Sequence, residues 1–105
     1  MADPSPWQPM TNPADIARMG KLAEELGECS SMAARCLIQG INELDPKTKE
    51  SNKLMLEDEI ADVLANVGLV VEHFKLNEGS IHTRILWKLE FLRKWHRMLD
   101  EGTKP

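Results

Sequence analysis

Apolar residues recur every three or four positions in three stretches of the chain, which is the spacing of one face of an α-helix. The first stretch predicts a helix from about residue 13 to 39. Asn12 and Pro13 fit its N-cap and first helical position, and Gly40 followed by the polar segment 42–51 ends it. Its apolar stripe consists of Ile16, Met19, Leu22, Ala23, Leu26, Ala33, Leu37 and Ile41.

The second stretch keeps the same spacing over about five turns, so it predicts a helix despite its many β-branched residues. The segment from Asn77 to Ser80 closes this helix, and Ser80 is the predicted N-cap of a third helix that ends near Gly102. The stripe of the second helix consists of Leu56, Ile60, Val63, Leu64, Val67, Val70, Val71 and Phe74.

The third helix is apolar on two sides, which implies two packing partners. We therefore expect an all-α fold, a compact helical bundle of three to four helices, assembled as a homodimer or homotetramer. The alternative is that the proline-rich N-terminal arm, residues 1–12, covers the second side; residues 13–102 form the single predicted domain. One side carries Ile81, Ile85, Leu89, Leu92 and Leu99, and the other carries Trp87, Phe91 and Met98.

Composition narrows the classes of function. The 105 residues are 42% hydrophobic and 29% charged, with no apolar run near the ~20 residues of a membrane span and no signal-peptide pattern. We therefore expect a cytoplasmic protein with no membrane partner. Residues 1–80 carry 7 basic against 14 acidic side chains, and residues 81–105 carry 6 against 3. This balance argues against a nucleic-acid partner, which usually needs a net basic surface.

The sequence lacks the residue patterns that several kinds of chemistry require. Cys29 and Cys36 lie seven positions apart, about 10 Å along a helix, which is too far for a disulfide, and we expect two buried thiols. No CxxC pair suggests zinc, and the three histidines have no evident Ser or Cys partner for nucleophilic catalysis. No Glu precedes a histidine by three, as di-iron bundles require.

Paired carboxylates are the distinctive feature. Glu25 and Glu28 form an ExxE pair, and Glu59 and Asp62 form an ExxD pair. Residues three apart share a helix face, so each pair can reach one hard cation such as Mg2+. Glu25 and Glu59 border the apolar stripes, and two helices packed along those stripes would present both pairs to one cleft. The alternative is a solvated acidic face.

With these motifs on consecutive helices, the chain resembles the MazG-like all-α nucleoside triphosphate pyrophosphatase superfamily over roughly residues 14–99. The resemblance rests on Glu24-Glu25-x-x-Glu28 and on Glu59-x-x-Asp62 followed by an apolar run. The preceding Lys21-Leu22-Ala23 and the small residues Gly27 and Ala61 beside the acids also fit that superfamily.

The resemblance implies an enzyme that cleaves a nucleoside triphosphate between its α and β phosphates, in nucleotide-pool house-cleaning. Glu25, Glu28, Glu59 and Asp62 would be both the catalytic residues and the ligands of Mg2+, with Mn2+ as an alternative. Glu25 is the first choice to accept the proton of the attacking water, and Glu24 is a weaker candidate. Crowded carboxylates repel one another, so Mg2+ should stabilise the protein.

Substrate phosphates need cationic donors, and the third helix offers them. Lys88 is the first choice, and Arg84, Arg93 and Lys94 are alternatives, each equally compatible with a surface charge. Asn66, one turn past Asp62 on the same helix face, could hydrogen-bond sugar or base, and a solvent-facing Asn is the alternative. Trp7 or Trp95 offers a ring for base stacking, although packing fits Trp95 better.

Two rival interpretations stay open. The chain could be a non-catalytic helical interaction or regulatory module whose acids are merely surface charges. It could also be a degenerate member of the superfamily that binds nucleotide without hydrolysing it. Neither the preferred base nor the preferred sugar follows from the sequence.

Overall fold

The computed structural model describes residues 6–102, and this part of the chain is all-helical. It contains no β-strand; Leu44 and Ser51 form an isolated antiparallel bridge. The predicted all-α class is therefore confirmed, with the smaller of the two expected helix numbers. The helices are α1 (Pro13–Gln39), α2 (Asn52–His73) and α3 (Glu78–Gly102).

The N-terminus of α1 is capped as its sequence predicts. The Asn12 side-chain oxygen accepts hydrogen bonds from the backbone N–H groups of Ala14 and Asp15, at 2.9 and 3.1 Å. Pro13 takes the first helical position, where its missing N–H costs nothing. Of the predicted proline-rich arm, residues 6–12 have no helix or strand, and residues 1–5 lie outside the described residues.

The predicted N-cap of α3 is wrong. The helix begins at Glu78, before Ser80, and the Asn77 side-chain oxygen accepts the backbone N–H of Ser80 at 2.8 Å. Asn and Ser are comparable N-caps, so the earlier of the two can start the helix. Ser80 then lies inside the first turn.

Helices α1 and α2 run antiparallel, because opposite ends of the two helices contact each other. Asp15 at the start of α1 lies 2.6 Å from His73 at the end of α2. At the other end, the Asn52 amide donates to the Gln39 side chain at 3.1 Å. The chain divides into two compact units between Phe74 and Lys75, so α1 and α2 share the first unit and α3 belongs to the second.

The loop that joins α1 to α2 is fixed by buried polar side chains. Asn52 is fully buried and also donates to the carbonyl of Gly40 at 3.0 Å. Gly40 has φ +105°, and a Cβ there would lie 2.9 Å from the side chain of Glu43. Asp45 is buried and accepts hydrogen bonds from Gln39 and from the backbone and side chain of Thr48. These contacts set the register of the two helices.

Helix α1 does not pack along its predicted stripe, whereas α2 packs along part of its stripe, through Leu56, Val63 and Val70. Leu26 and Leu37 of the α1 stripe are 49% and 87% exposed, whereas Met32, outside that stripe, is buried. The packed seam includes polar positions, which is why apolar spacing alone misplaced it on α1 and predicted only part of it on α2. The buried and half-buried residues of the two helices are Asp15, Leu22, Glu25, Cys29, Met32, Arg35, Cys36 and Gln39 on α1, and Asn52, Met55, Leu56, Glu59, Val63, Asn66, Val70 and Val71 on α2.

Both cysteines are free, as predicted, and both are half-buried rather than fully buried. None of the helices in the described part of the chain combines the length and apolar character needed to cross a lipid bilayer.

Helix α3 has no buried side chain along its whole length. Large apolar residues are therefore exposed on both of its predicted sides. Among them, Ile85 is 49% exposed and Phe91 is 51% exposed. The exposed apolar residues of α3 are Ile81, Ile85, Leu86, Trp87, Leu89, Phe91, Leu92, Trp95, Met98 and Leu99.

Candidate metal centre

Three of the four predicted acids converge between α1 and α2. Glu25, Glu59 and Asp62 each offer a carboxylate oxygen, and these oxygens lie within 4.8 Å of one another. The antiparallel pairing of the helices produces this arrangement, because it places the middle of α1 opposite the first half of α2. We call these three residues the acidic cluster.

The acidic cluster has a buried end and a solvent end. Glu25 is only 7% exposed, Glu59 is half-buried and Asp62 is exposed. Glu25 and Glu59 each have a buried carboxylate oxygen, Oε2, with no hydrogen-bond partner. A buried carboxylate is costly unless hydrogen bonds or a cation compensate it.

The donor set fits a hard divalent cation. All three ligands are carboxylate oxygens, which Mg2+, Mn2+ and Ca2+ prefer, and no nitrogen or sulfur ligand belongs to the cluster. A cation bound here would compensate the charge of the carboxylates of Glu25 and Glu59. The residues present therefore suit the Mg2+ that the sequence motif implies.

Glu28 lies beside the acidic cluster and is not one of its members. It is exposed, and the negative charge of Glu25 raises the pKa of the Glu28 carboxyl, with smaller contributions from partial desolvation and from the charge of Glu59. Glu28 and Glu59 also line one surface pocket of about 510 Å³. Glu28 thus borders the cluster on its solvent side.

Lys21 is the cation nearest to Glu25. Its ammonium lies 3.1 Å from Glu25 Oε1 and 3.5 Å from Glu24 Oε1. The hydrogen bond to Glu25 and the charge of Glu24 raise the pKa of Lys21. Sequence reasoning gave Lys21 no role, although its position four residues before Glu25 places both on one helix face.

Asn66 connects the acidic cluster to a second pocket. Its amide donates to the backbone carbonyl of Asp62 at 2.9 Å, one turn earlier in α2. Asn66 also lines a pocket of about 650 Å³ together with Lys21, Arg18 and His73. The sequence pattern did not indicate Arg18 and His73 as residues of this pocket. Their spacing was a possible signal, because Arg18 lies seven residues before Glu25 and His73 seven after Asn66, about two helical turns in each case.

The predicted phosphate-binding cations lie on α3, in the second compact unit. Lys88 is exposed. The Arg84 guanidinium lies 3.9 Å from the centre of the Trp87 ring, a cation–π arrangement. Lys94 lies 3.8 Å from a Glu90 carboxylate oxygen. Their part in substrate binding stays a prediction, as does base stacking by Trp7 or Trp95, which are 79% and 53% exposed.

No protein-family model, curated protein or solved structure matches this chain. A functional proposal therefore rests on the chain's own side chains and on the motif that they form.

Proposed function

We propose that this chain is a Mg2+-dependent nucleoside triphosphate pyrophosphohydrolase that converts a (d)NTP to a (d)NMP and pyrophosphate. The observation that carries the proposal is the acidic cluster, in which Glu25 and Glu59 each keep a buried, unpartnered oxygen. The ExxE and ExxD spacing on consecutive helices, typical of the MazG-like superfamily, supports the same assignment.

In this proposal Glu25, Glu59 and Asp62 hold the metal, and Glu28 completes the site from the solvent side. The bound metal would neutralise triphosphate charge and lower the pKa of a bound water. Glu25, the most buried of the four, accepts the proton of the attacking water. Water adds across the α–β phosphoanhydride, so the bridging bond breaks and pyrophosphate leaves.

Two kinds of substrate contact belong to the proposal, an amide on α2 and a cation on α3. Asn66 lies one turn after Asp62 in α2 and donates its amide N–H to the Asp62 carbonyl. Its side-chain oxygen would accept a hydrogen bond from sugar or base. Lys88, with Arg84 and Lys94 as alternatives, would neutralise the phosphates as the motif resemblance implies.

Assembly with further copies is part of the proposal. A continuous helix with no buried side chain and many large apolar residues needs a covering surface. A second copy of the chain supplies one by symmetry, in a homodimer or homotetramer.

The test is pyrophosphate release from a panel of canonical dNTPs in Mg2+, with the native protein, Glu59→Gln and the matched control Glu57→Gln. Glu57 is an exposed acid on α2 outside the acidic cluster. We expect release by the native protein and by Glu57→Gln, and a loss of at least about a hundredfold in Glu59→Gln. If no nucleotide of the panel yields pyrophosphate, the proposed enzymatic activity is wrong.

The exposed apolar residues of α3 also favour a second candidate, a non-catalytic helical interaction module. The same panel separates the two. Such a module would neither release pyrophosphate nor bind nucleotide in a Mg2+-dependent way. Mg2+-dependent binding without release would instead indicate a degenerate member of the superfamily.

A further inference from the structure

Lys21 forms an ion pair whose two ends differ in solvent exposure. The side chain of Lys21 is 53% exposed, whereas that of its partner Glu25 is 9% exposed. The ammonium therefore lies at the solvent edge of the acidic cluster and contacts Glu25 Oε1, while Oε2 of the same carboxylate stays unpartnered. Lys21 thus supplies one positive charge to a cluster of three carboxylates.

Lys21 also lines the neighbouring pocket of about 650 Å³ between α1 and α2. Asn66 lines this pocket too, and its amide donates to the backbone carbonyl of Asp62. The pocket therefore adjoins the acidic cluster. Arg18 also lines the pocket and is engaged elsewhere, with its guanidinium 3.3 Å from His73 and 3.7 Å from Asp15. Lys21 is therefore the pocket cation placed next to the cluster.

A divalent cation on the acidic cluster would change the environment of Lys21. Like charges a few ångströms apart repel, and a metal bound to Glu25 reduces the attraction of that carboxylate for the ammonium. The four-carbon stem of lysine lets the ammonium turn away without moving the backbone. The anion best placed to receive it is a phosphate on the same metal, since lysine binds phosphate as a mobile point charge.

We propose that Lys21 is a substrate-binding cation, paired with Glu25 in the metal-free protein and with a substrate phosphate once metal is bound. This inference rests on the proposed function, because it requires a metal on the acidic cluster. It adds a phosphate-binding residue on α1, in the same compact unit as the cluster, to those predicted on α3. The triphosphate then extends from the cluster towards the pocket lined by Asn66.

The experiment uses two calorimetric titrations of the full chain. The first adds Mn2+ alone, and the second adds tripolyphosphate, which has the phosphates without base or sugar, at saturating Mg2+. The variants are Lys21→Met, Lys21→Arg and the control Lys53→Met, which removes an exposed lysine from the first turn of α2. Circular dichroism of each variant verifies that it is folded.

We expect Lys21→Met to keep or improve Mn2+ affinity, because it removes an internal competitor for Glu25, and to weaken tripolyphosphate binding by about tenfold or more. Lys21→Arg should retain most of the tripolyphosphate affinity, and Lys53→Met should match the native protein. Unchanged tripolyphosphate binding in Lys21→Met, or an equal loss of Mn2+ affinity, would overturn the role of Lys21. Failure of the native protein to bind Mn2+ would instead overturn the metal site itself.

Discussion

Glu25 is the most buried carboxylate of the candidate site. It lies in the seam between α1 and α2, shares the acidic cluster with Glu59 and Asp62, and is paired through one oxygen with Lys21. A carboxylate in this position weakens the metal-free fold, because neighbouring negative charges repel it and water cannot solvate it fully. A bound cation would turn the same arrangement into a stabilising one.

Glu28 allows the electrostatic cost of the metal-free site, and its relief by a cation, to be measured at a single residue. Its pKa is raised above 4.5, so the folded chain binds the Glu28 proton more tightly than the unfolded chain does. The charged form therefore destabilises the native protein at neutral pH, and this penalty disappears as the pH falls below 4.5. We predict that Glu28→Gln raises the Tm in EDTA at pH 7 and reduces the further rise that Mg2+ produces.

Thermal unfolding followed by circular dichroism, with and without Mg2+, checks this prediction. Glu57→Gln is the control, because it removes the same charge from an exposed position outside the acidic cluster. A lower Tm for Glu28→Gln in EDTA would show that Glu28 is not under electrostatic strain.

At the scale of elements, the loop between α1 and α2 sets which residues of the two helices face each other. The hydrogen bonds from Thr48 and Gln39 lower the pKa of Asp45 from 3.8 to about 2. A depressed carboxyl pKa stabilises the fold at pH values above 3.8, and this contribution is lost as the pH falls through about 2. The helix register, and with it the acidic cluster, depends on these bonds.

We predict that Asp45→Asn lowers the urea midpoint at pH 6, and that its difference from the native protein shrinks as the pH falls from about 4 towards 2. Urea unfolding across this pH range is the measurement, with Asn42→Ala as an exposed control in the same loop. A difference that does not change with pH would mean that the Asp45 carboxylate is not the stabilising form.

The sequence predicted the elements better than the packing between them. The bounds of α1 and its Asn12 cap follow from local rules, since an N-cap acts through hydrogen bonds two or three residues away. The start of α3 was misplaced because Asn77 and Ser80 are both suitable caps. The packed seam was predicted in part on α2, through Leu56, Val63 and Val70, and misplaced on α1. Glu25 and Glu59 interrupt its apolar pattern, and only tertiary contacts reveal a buried carboxylate.

The candidate site, too, was predicted within single helices but not across them. The two acidic pairs are visible as spacing within single helices, whereas the convergence of Glu25 with Glu59 requires the antiparallel pairing of α1 and α2. Lys21 was overlooked as a functional residue because a lysine four positions from a glutamate is also an ordinary surface ion pair. Its contact with a buried partner becomes evident only in the structure.

At the scale of the whole molecule, the exposed apolar residues of α3 predict self-association. We predict that the native protein exceeds its chain mass of 11.9 kDa in solution, and that Phe91→Glu lowers the observed mass because a buried, unpaired carboxylate opposes association. Thr83→Glu, at an exposed polar position on the same helix, is the charge control. Size-exclusion chromatography with light scattering gives the masses, and a native protein that stays at 11.9 kDa at every concentration would contradict the prediction.

Titration with Mn2+ followed by electron paramagnetic resonance measures whether the acidic cluster binds a divalent metal. The native protein and Glu57→Gln should bind Mn2+ alike, and Glu59→Gln should bind it at least about tenfold more weakly, since it loses one of three carboxylate ligands. Equal Mn2+ binding by the native protein and Glu59→Gln, or no binding by either, would show that the acidic cluster is not a metal site.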